Sequence, residues 1–261
     1  MSTRTIKNNT KYYKKMHSGD LVSIILAVKN AAHCVDRALV SIIEQTYRNI
    51  EIVVIDGAST DDTMEVISKY ESYIDIILSE PDLGIADAYN KGIKLCRGDW
   101  IYFLNSDDLF IDNKILENIF LLNDFERDIQ IISGAVISTS GIRFFGKFNW
   151  LLLLRNNVHH QGLFYRPAIL LQYPYNTQYK LYGHDNEHNL WMWKERINIK
   201  YIDMNIALWA TGGLSDTPKW TNYRNEFLAR KNVFGYRYFM FNIFTIIRFF
   251  IKTIRVKYLR S

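Results

Sequence analysis

Four apolar runs each end in a polar, mostly acidic turn. Leu21 to Val28 leads into Lys29-Asn30, and Ile50 to Ile55 into Asp56-Gly57-Ala58-Ser59. Ile74 to Leu78 leads into Ser79-Glu80-Pro81-Asp82, and Trp100 to Leu104 into Asn105-Ser106-Asp107-Asp108. In open α/β sheets ligands bind beyond the carboxyl ends of the strands, so chemistry is expected in these turns. Adjacent Asp107 and Asp108 offer hard oxygen ligands of the kind Mn2+ or Mg2+ accepts, with a diphosphate completing the coordination sphere. An Asp-Asp pair alone more often caps or turns the chain before a helix, so the surrounding constellation has to decide. No GxGxxG follows the first run and no GxxxxGK[ST] occurs anywhere, which argues against dinucleotide and P-loop phosphate sites.

The elements that must hold these turns are legible from periodicity. Nearly unbroken apolar runs of strand length indicate strands buried on both faces, as in a parallel sheet. Between them Val35, Leu39, Ile42 and Ile43 recur at helical spacing, as do Ile85, Ala88, Tyr89, Ile93 and Cys96. Ser59-Thr60-Asp61-Asp62 offers a capping box before Met64, Ile67 and Tyr70. This alternation predicts an α/β fold, doubly wound around a mostly parallel central sheet. Asp112 is expected to cap a helix carrying Ile115, Leu116, Ile119 and Phe120. Further strands are expected at Ile129 to Ile137 and Lys200 to Trp209, with a helix from about His184 to Glu195 in an otherwise loop-rich stretch.

The 261 residues, 48% hydrophobic and 23% charged, suffice for one full-sized core and exclude disorder and a small disulfide scaffold. Two cysteines, Cys34 and Cys96, permit one disulfide at most and have no zinc-ligand spacing, so reduced thiols are expected. The net charge of +5 hides an asymmetry. Residues 1–20 carry five basic residues and one acid, residues 219–261 ten and one, and residues 21–218 a net of −8. An acidic body between basic ends suggests metal or sugar chemistry in the body and a negatively charged surface for the ends. The basic, polar N-terminus lacks the apolar core of a signal peptide, so a cytoplasmic location is expected.

From Phe241 to Leu259, Asn242, Thr245, Arg248, Lys252 and Arg255 recur every three or four residues while apolar residues fill the rest. This predicts an amphipathic helix with a narrow cationic face, suited to lying in an anionic bilayer interface. Arg248 and Lys252 would make a transmembrane span costly. The alternative is a helix packed on the protein's own core with a solvated basic edge. Three segments follow: a basic extension (1–20), one catalytic domain (21–218) and a membrane-associating tail (219–261).

Asp56 to Asp62, Ser79 to Gly92 and Gly98 to Asp108, together with Val22-Ser-Ile-Ile25 and Gln45-Thr-Tyr47, resemble family 2 glycosyltransferases of the GT-A fold. The resemblance is closest to the bacterial branch that assembles O-antigen, capsule and related envelope polysaccharides, and covers about residues 21–215. It implies inverting, Mn2+- or Mg2+-dependent transfer of a sugar from a nucleotide-diphosphate donor to a lipid-linked saccharide. By the resemblance, Asp56 helps hold the nucleoside, while Asp82, Asp87 and Asn90 touch the nucleotide or sugar. The family's DxD signature falls on Asn105-Ser106-Asp107. Asn replaces its first acid, so the metal site loses one negative charge; Asp107 is the implied metal ligand and Asp108 a weaker second. Asp185, in Gly183-His184-Asp185-Asn186-Glu187, is the best match to the general base that opens a helix, and Glu187, two residues on and expected to point away, is the fallback. His160 and Gln161, in the segment resembling the family's His-Gln pair, are expected to line the acceptor or donor pocket, and Gly212 to Ser215 to close the domain.

Other readings weigh less. Zinc held by His159, His160, His184 and His188 lacks a cysteine or carboxylate partner at a known spacing. A nucleotidyltransferase would carry a Gly- and Lys/Arg-rich phosphate loop after the first strand, where Ala27-Val28-Lys29-Asn30-Ala31 stands. The non-enzymatic alternative is a degenerate scaffold acting through its basic tail. Its partner would be membrane and not nucleic acid, because the tail's aromatic residues sit on an apolar surface.

Overall fold

The computed structural model describes residues 19–123, 125–179, 183–210 and 220–259, with the side chains of residues 256–259 left aside. The expected closing loop Gly212 to Ser215 and most of the basic extension lie outside the described residues. The strands are β1 (Val22–Val28), β2 (Ile50–Asp56), β3 (Ile76–Ser79), β4 (Trp100–Asn105), β5 (Leu109–Phe110), β6 (Ile131–Ser138), β7 (Arg143–Phe144), β8 (Leu163–Tyr165) and β9 (Ile199–Trp209). The helices are α1 (Val35–Ile43), α2 (Thr63–Ser68), α3 (Ile85–Leu95), α4 (Ile115–Phe120), α5 (Pro167–Gln172), α6 (His184–Lys194), α7 (Trp220–Phe234) and α8 (Phe241–Leu259).

The strands form one sheet in the order β3-β2-β1-β4-β8-β6-β9-β5, with β7 paired to β6. The first four are parallel. β8 enters antiparallel between β4 and β6, and β9 then runs parallel to β6. Six strands therefore share one direction, as the unbroken apolar runs predict. Every residue of β1 is buried. Alternate strand residues serve opposite faces: Ile24, Leu26, Val54 and Tyr102 meet α1, α2 and α4, while Ile25, Val53, Ile101 and Phe103 meet α3, α5, α6 and α7.

The strand register sets the site. Val28 is level with Asp56, Asp56 with Ser79, and Ala27 with Asn105. The polar turns foreseen in the sequence thus emerge at one edge. Because β3 is followed in sequence by β4 on the far side of β1, a crevice opens between β1 and β4, the topological switch point.

The segment from residue 219 divides in two. α7 is built into the body: Ala229 and Val233 are buried in the core, and Lys194 donates to the Val233 carbonyl at 2.9 Å. The boundary expected at residue 218 therefore does not mark the end of the packed domain. α8 is indeed helical, but its polar side faces the protein. Asn242 and Thr245 are buried, whereas Ile243, Phe244, Ile247, Phe250, Ile251 and Ile254 are exposed. The joint is Arg230, 2% exposed, which donates from Nε to Asn242 Oδ1 (3.0 Å), from Nη1 to the Leu153 carbonyl (3.0 Å) and from Nη2 to Thr245 Oγ1 (2.7 Å). Arg248 is also turned inward, so the expected solvated basic edge is occupied by protein at this point.

Candidate active site

A cavity of about 830 Å³ fills the switch point. One wall is made by the ends of β1 and β4 and the donor-loop candidate: Lys29, Asp82 and Asn105 to Asp108. The rest of the lining carries His159, His160, Asp185 and Asn186, and α7 and α8 add Tyr223, Glu226, Arg248 and Lys252. A second cavity, about 650 Å³ and lined by Phe148, Trp193, Tyr201 and Phe234 among others, has no lining carboxylate, so it offers neither a metal ligand nor a carboxylate base.

On the first wall the turn after β4 is held by a relay of hydrogen bonds. Tyr89 donates its hydroxyl hydrogen to Asn105 Oδ1 at 2.7 Å, and Asn105 Nδ2 donates to Asp108 Oδ2 at 3.1 Å. Asp108, only 3% exposed, also accepts from the Gln161 amide and from the Ala210 backbone N–H at 2.7 Å. Burial and the neighbouring Asp107 charge raise its pKa, partly opposed by those hydrogen bonds. Three donors thus engage both Asp108 oxygens, so the residue expected as a second metal ligand also acts as the hub that fixes this turn. Asp107 and Asp108 both line the cavity, but Asp107 is solvent-exposed there while Asp108 is buried. No group of three or more His, Cys, Asp and Glu among the described residues is arranged to hold a metal ion by itself. A cation here would take Asp107 as protein ligand and draw its remaining oxygens from a bound diphosphate and water, a coordination that suits Mg2+ or Mn2+.

On the second wall Asp185 sits in the first turn of α6, where a negative charge is favoured by the helix N-terminus. The chain enters this helix through Gly183, at φ +109°; a Cβ there would also stand 2.7 Å from the Tyr179 ring. Asp185 Oδ2 lies 3.3 Å from His160 Nδ1, and Oδ1 lies 3.5 Å from His184 Nε2. His160 Nε2 lies 3.3 Å from the Tyr89 hydroxyl. Since that hydroxyl already donates to Asn105, the ring nitrogen must be the donor, and both nitrogens of His160 then carry hydrogen. Burial works against this imidazolium, but the Asp185 charge and hydrogen bond outweigh it and raise the His160 pKa. Burial would raise the Asp185 pKa; His184 and His160 override it and hold the carboxyl well below its usual range. A carboxylate ionised at neutral pH thus faces the cavity, linked through His160 and Tyr89 to Asn105 and Asp108.

The other expected site residues fall as follows. Asp82 lines the cavity, with Oδ1 accepting from Gly84 N–H at 3.0 Å and lying 3.6 Å from Lys29 Nζ. Gly57 allows this approach, since a Cβ there would lie 2.2 Å from Asp82 Oδ2. Asp56 is fully buried at the end of β2, accepting from Ser59 N–H and from the Ser59 and Ser79 hydroxyls; Ser59 is thereby drawn away from the expected capping box. Asp87 accepts from Leu83 N–H and pairs with Lys91 at 3.3 Å, securing the start of α3. Asn90 is clamped to both backbone groups of Tyr175. Gln161 is fully buried, holding Asp108. Asp56, Asp87, Asn90 and Gln161 are therefore not on the cavity wall. Glu187 points away as expected, accepting from Asn176, Tyr179 and Asn232. Sequence reasoning missed Tyr89 as a link and Asn186 and Arg248 as wall residues. Tyr89 counted there only as an apolar helix position, and nothing local marked the other two.

The histidines around Asp185 give the fold a pH dependence. Burial pushes His188, stacked 4.6 Å from the Tyr175 ring, down to about 4. Burial and the His160 charge push His159 down to about 3, and burial also lowers His184. Such groups cost nothing above their unfolded value of about 6.5, and below it the unfolded chain binds protons the folded chain refuses. Each can remove about 1.4 kcal/mol per pH unit between about 6.5 and its folded value. His160 and the buried carboxyls of Asp108 and Asp75, whose pKa values are raised, have the opposite sign and offset part of this loss. The thermal unfolding temperature is thus expected to fall from pH 6.5 to pH 4.5; a flat profile would show that these rings are solvated.

A family model for Glycosyl transferase family 2 matches residues 23–249. A PGL/p-HBAD biosynthesis glycosyltransferase of Mycobacterium bovis is 29% identical over 205 residues, 76% of this chain and 80% of that protein. The Escherichia coli UDP-Glc:alpha-D-GlcNAc-diphosphoundecaprenol beta-1,3-glucosyltransferase WfaP is 39% identical over 104 residues, 40% of this chain and 41% of that protein. Among solved structures, the mannosyltransferase PcManGT from Pyrobaculum calidifontis, in complex with GDP-Man and Mn2+, superposes with TM-score 0.62 at 15% identity, covering 95% of this chain and 76% of that one. S. aureus TarS in complex with UDP superposes with TM-score 0.61 at 17% identity, covering 81% and 66%.

Proposed function

Since the chain belongs to glycosyl transferase family 2 and has the GT-A fold, we propose that it moves a sugar, with inversion, from a nucleotide-diphosphate donor to a lipid-linked saccharide during envelope polysaccharide assembly. The observation that carries this reading is the placement of the ionised Asp185 and the exposed Asp107 in one cavity at the β1/β4 switch point. The donor's diphosphate lies by Lys29 and Asp107. The acceptor hydroxyl approaches from the Asp185 side, opposite the leaving nucleotide, and Asp185 takes its proton as the hydroxyl oxygen bonds to the anomeric carbon. No covalent enzyme intermediate is needed. His160 orients Asp185 and keeps it ionised. A divalent ion, when bound, supplies charge neutralisation for the departing diphosphate, and Asp107 is its protein ligand.

The acceptor reading also accounts for the outward apolar face of α8. Among the described residues no helix is long and apolar enough to cross a membrane. An interfacial helix needs only to sink its apolar side among acyl chains, with exposed Lys231, Arg237 and Arg255 near anionic headgroups. The protein would thus work peripherally, on the inner face of the cell membrane.

The test is thermal stability with UDP, GDP, dTDP and CMP derivatives, with and without Mn2+. One diphosphate at 100 times its Kd should stabilise the fold by about 2.7 kcal/mol, and more weakly without metal. No response to any nucleotide from a folded sample would instead favour the degenerate scaffold. Asp107→Asn should raise the Mn2+ concentration for half-maximal response by about 10- to 100-fold. Asp108→Asn should chiefly lower the melting temperature, and the reverse pattern would exchange the two roles.

A further inference from the structure

We propose that the α7–α8 wall of the cavity binds the diphosphate of a polyprenyl-diphosphate acceptor, whose prenyl chain runs along the outward apolar face of α8. The proposal rests on the transferase reading and assigns the acceptor its subsite.

An anionic head joined to a long hydrocarbon needs cations inside the cavity and an apolar track that begins beside them. α8 supplies both. Arg248 reaches the cavity wall and is fixed there by its Nη1, which donates to the Leu154 carbonyl at 2.6 Å and to Glu226 Oε2 at 3.0 Å. Lys252, one turn further on, lines the same cavity. Ile247 and Ile251 immediately precede these cations, about 100° round the helix, and stand 48% and 60% exposed. With Phe250 and Ile254 they form an apolar strip that no described part of the chain covers. A helix docked only for stability would bury that strip; this one buries Asn242 and Thr245.

Asn186 supplies an independent sign of a ligand. It lines the cavity, is 4% exposed, and neither its Nδ2 nor its Oδ1 has a hydrogen-bond partner. A buried amide left so is costly unless something polar completes it, and phosphate or sugar oxygens would. Asn186 is next to Asp185 in sequence, so a head group held there places its first sugar by the general base. The donor's diphosphate is provided for at the strand ends by Lys29 and Asp107. The relative WfaP carries a diphosphoundecaprenol acceptor in its name.

The experiment titrates farnesyl diphosphate against the full-length chain, with Mn2+ and the nucleoside diphosphate that stabilises it already bound. Lys252→Gln combined with Arg248→Gln should weaken farnesyl diphosphate binding by about 10- to 100-fold, the usual effect of two charge-assisted phosphate contacts. Lys252→Gln alone keeps the Arg248–Glu226 pair and should still weaken it by several-fold, which guards against loss of fold in the double variant. Ile247→Ser with Ile251→Ser should weaken farnesyl diphosphate binding while leaving nucleotide affinity unchanged. Unaltered farnesyl diphosphate binding in the cation variants would overturn the subsite. So would an equal loss of nucleotide binding, which would give these cations to the donor. A wild-type chain that takes farnesyl diphosphate but no nucleoside diphosphate would sink the transferase reading while supporting the subsite.

Discussion

Asp185→Asn is expected to lower turnover by about 10²- to 10⁴-fold, the usual contribution of a positioned general base. Asn keeps the shape and can still hydrogen-bond His160, but it cannot accept the acceptor's proton. Nucleotide binding should change little, because the proposed role of Asp185 is toward the acceptor hydroxyl while the diphosphate is assigned to Lys29 and Asp107. Steady-state kinetics with the nucleotide affinity measured separately would show the split. Full activity in the variant would remove Asp185 from the role, and an equal loss of nucleotide affinity would make it a binding residue. His160→Gln should act in the same direction but less: Asp185 keeps a hydrogen-bond partner and loses a cation. Its signature would be in the pH profile, where the acidic limb should move to higher pH as the carboxylate loses one of the neighbours, with His184, that keep it ionised.

Arg230→Met is expected to destabilise the fold by about 3 to 5 kcal/mol, as removal of one partner from a buried charged joint does. Met fills most of the space but leaves the Leu153 carbonyl, Asn242 Oδ1 and Thr245 Oγ1 without their donor. Burial, opposed by Glu226 and reinforced by the Arg248 charge, depresses the guanidinium pKa to about 10. The melting temperature should fall by roughly 10 °C at this size. Because Arg230 joins α7 to the polar side of α8, proteolysis should then cut first between residues 235 and 259. A melting temperature within about 2 °C of wild type would mean that α8 is not held through this joint.

Much of the body was legible because its signals are local. Buried parallel strands announce themselves as apolar runs, helices as a period of 3.6, and the turns between them as acidic clusters. That sufficed for β1 to β4, for α1 and α3, for a helix starting at His184 and for the helical tail. The elements that escaped are those with little local signal. β8 has three residues and exists because β4 and β6 pair with it on either side. α7 has almost no amphipathic pattern, since it is covered by α6 on one side and α8 on another.

The sequence by itself determined which side chains stand at the strand ends and at the start of α6. It could not determine their partners, because those come from far along the chain. Gln161 reaches Asp108 across 53 residues and Ala210 across 102, while Tyr89 meets both Asn105 and His160. Those contacts make Asp108 a buried hub and draw Gln161 off the cavity wall, as the clamp on Tyr175 does Asn90. The tail makes the same distinction. Its periodicity fixes that α8 has a polar face and an apolar face, but periodicity has no inside or outside. The buried guanidinium of Arg230, needing hydrogen-bond acceptors that water could no longer supply, and Arg248, held by the Leu154 carbonyl and Glu226, turn the polar face inward.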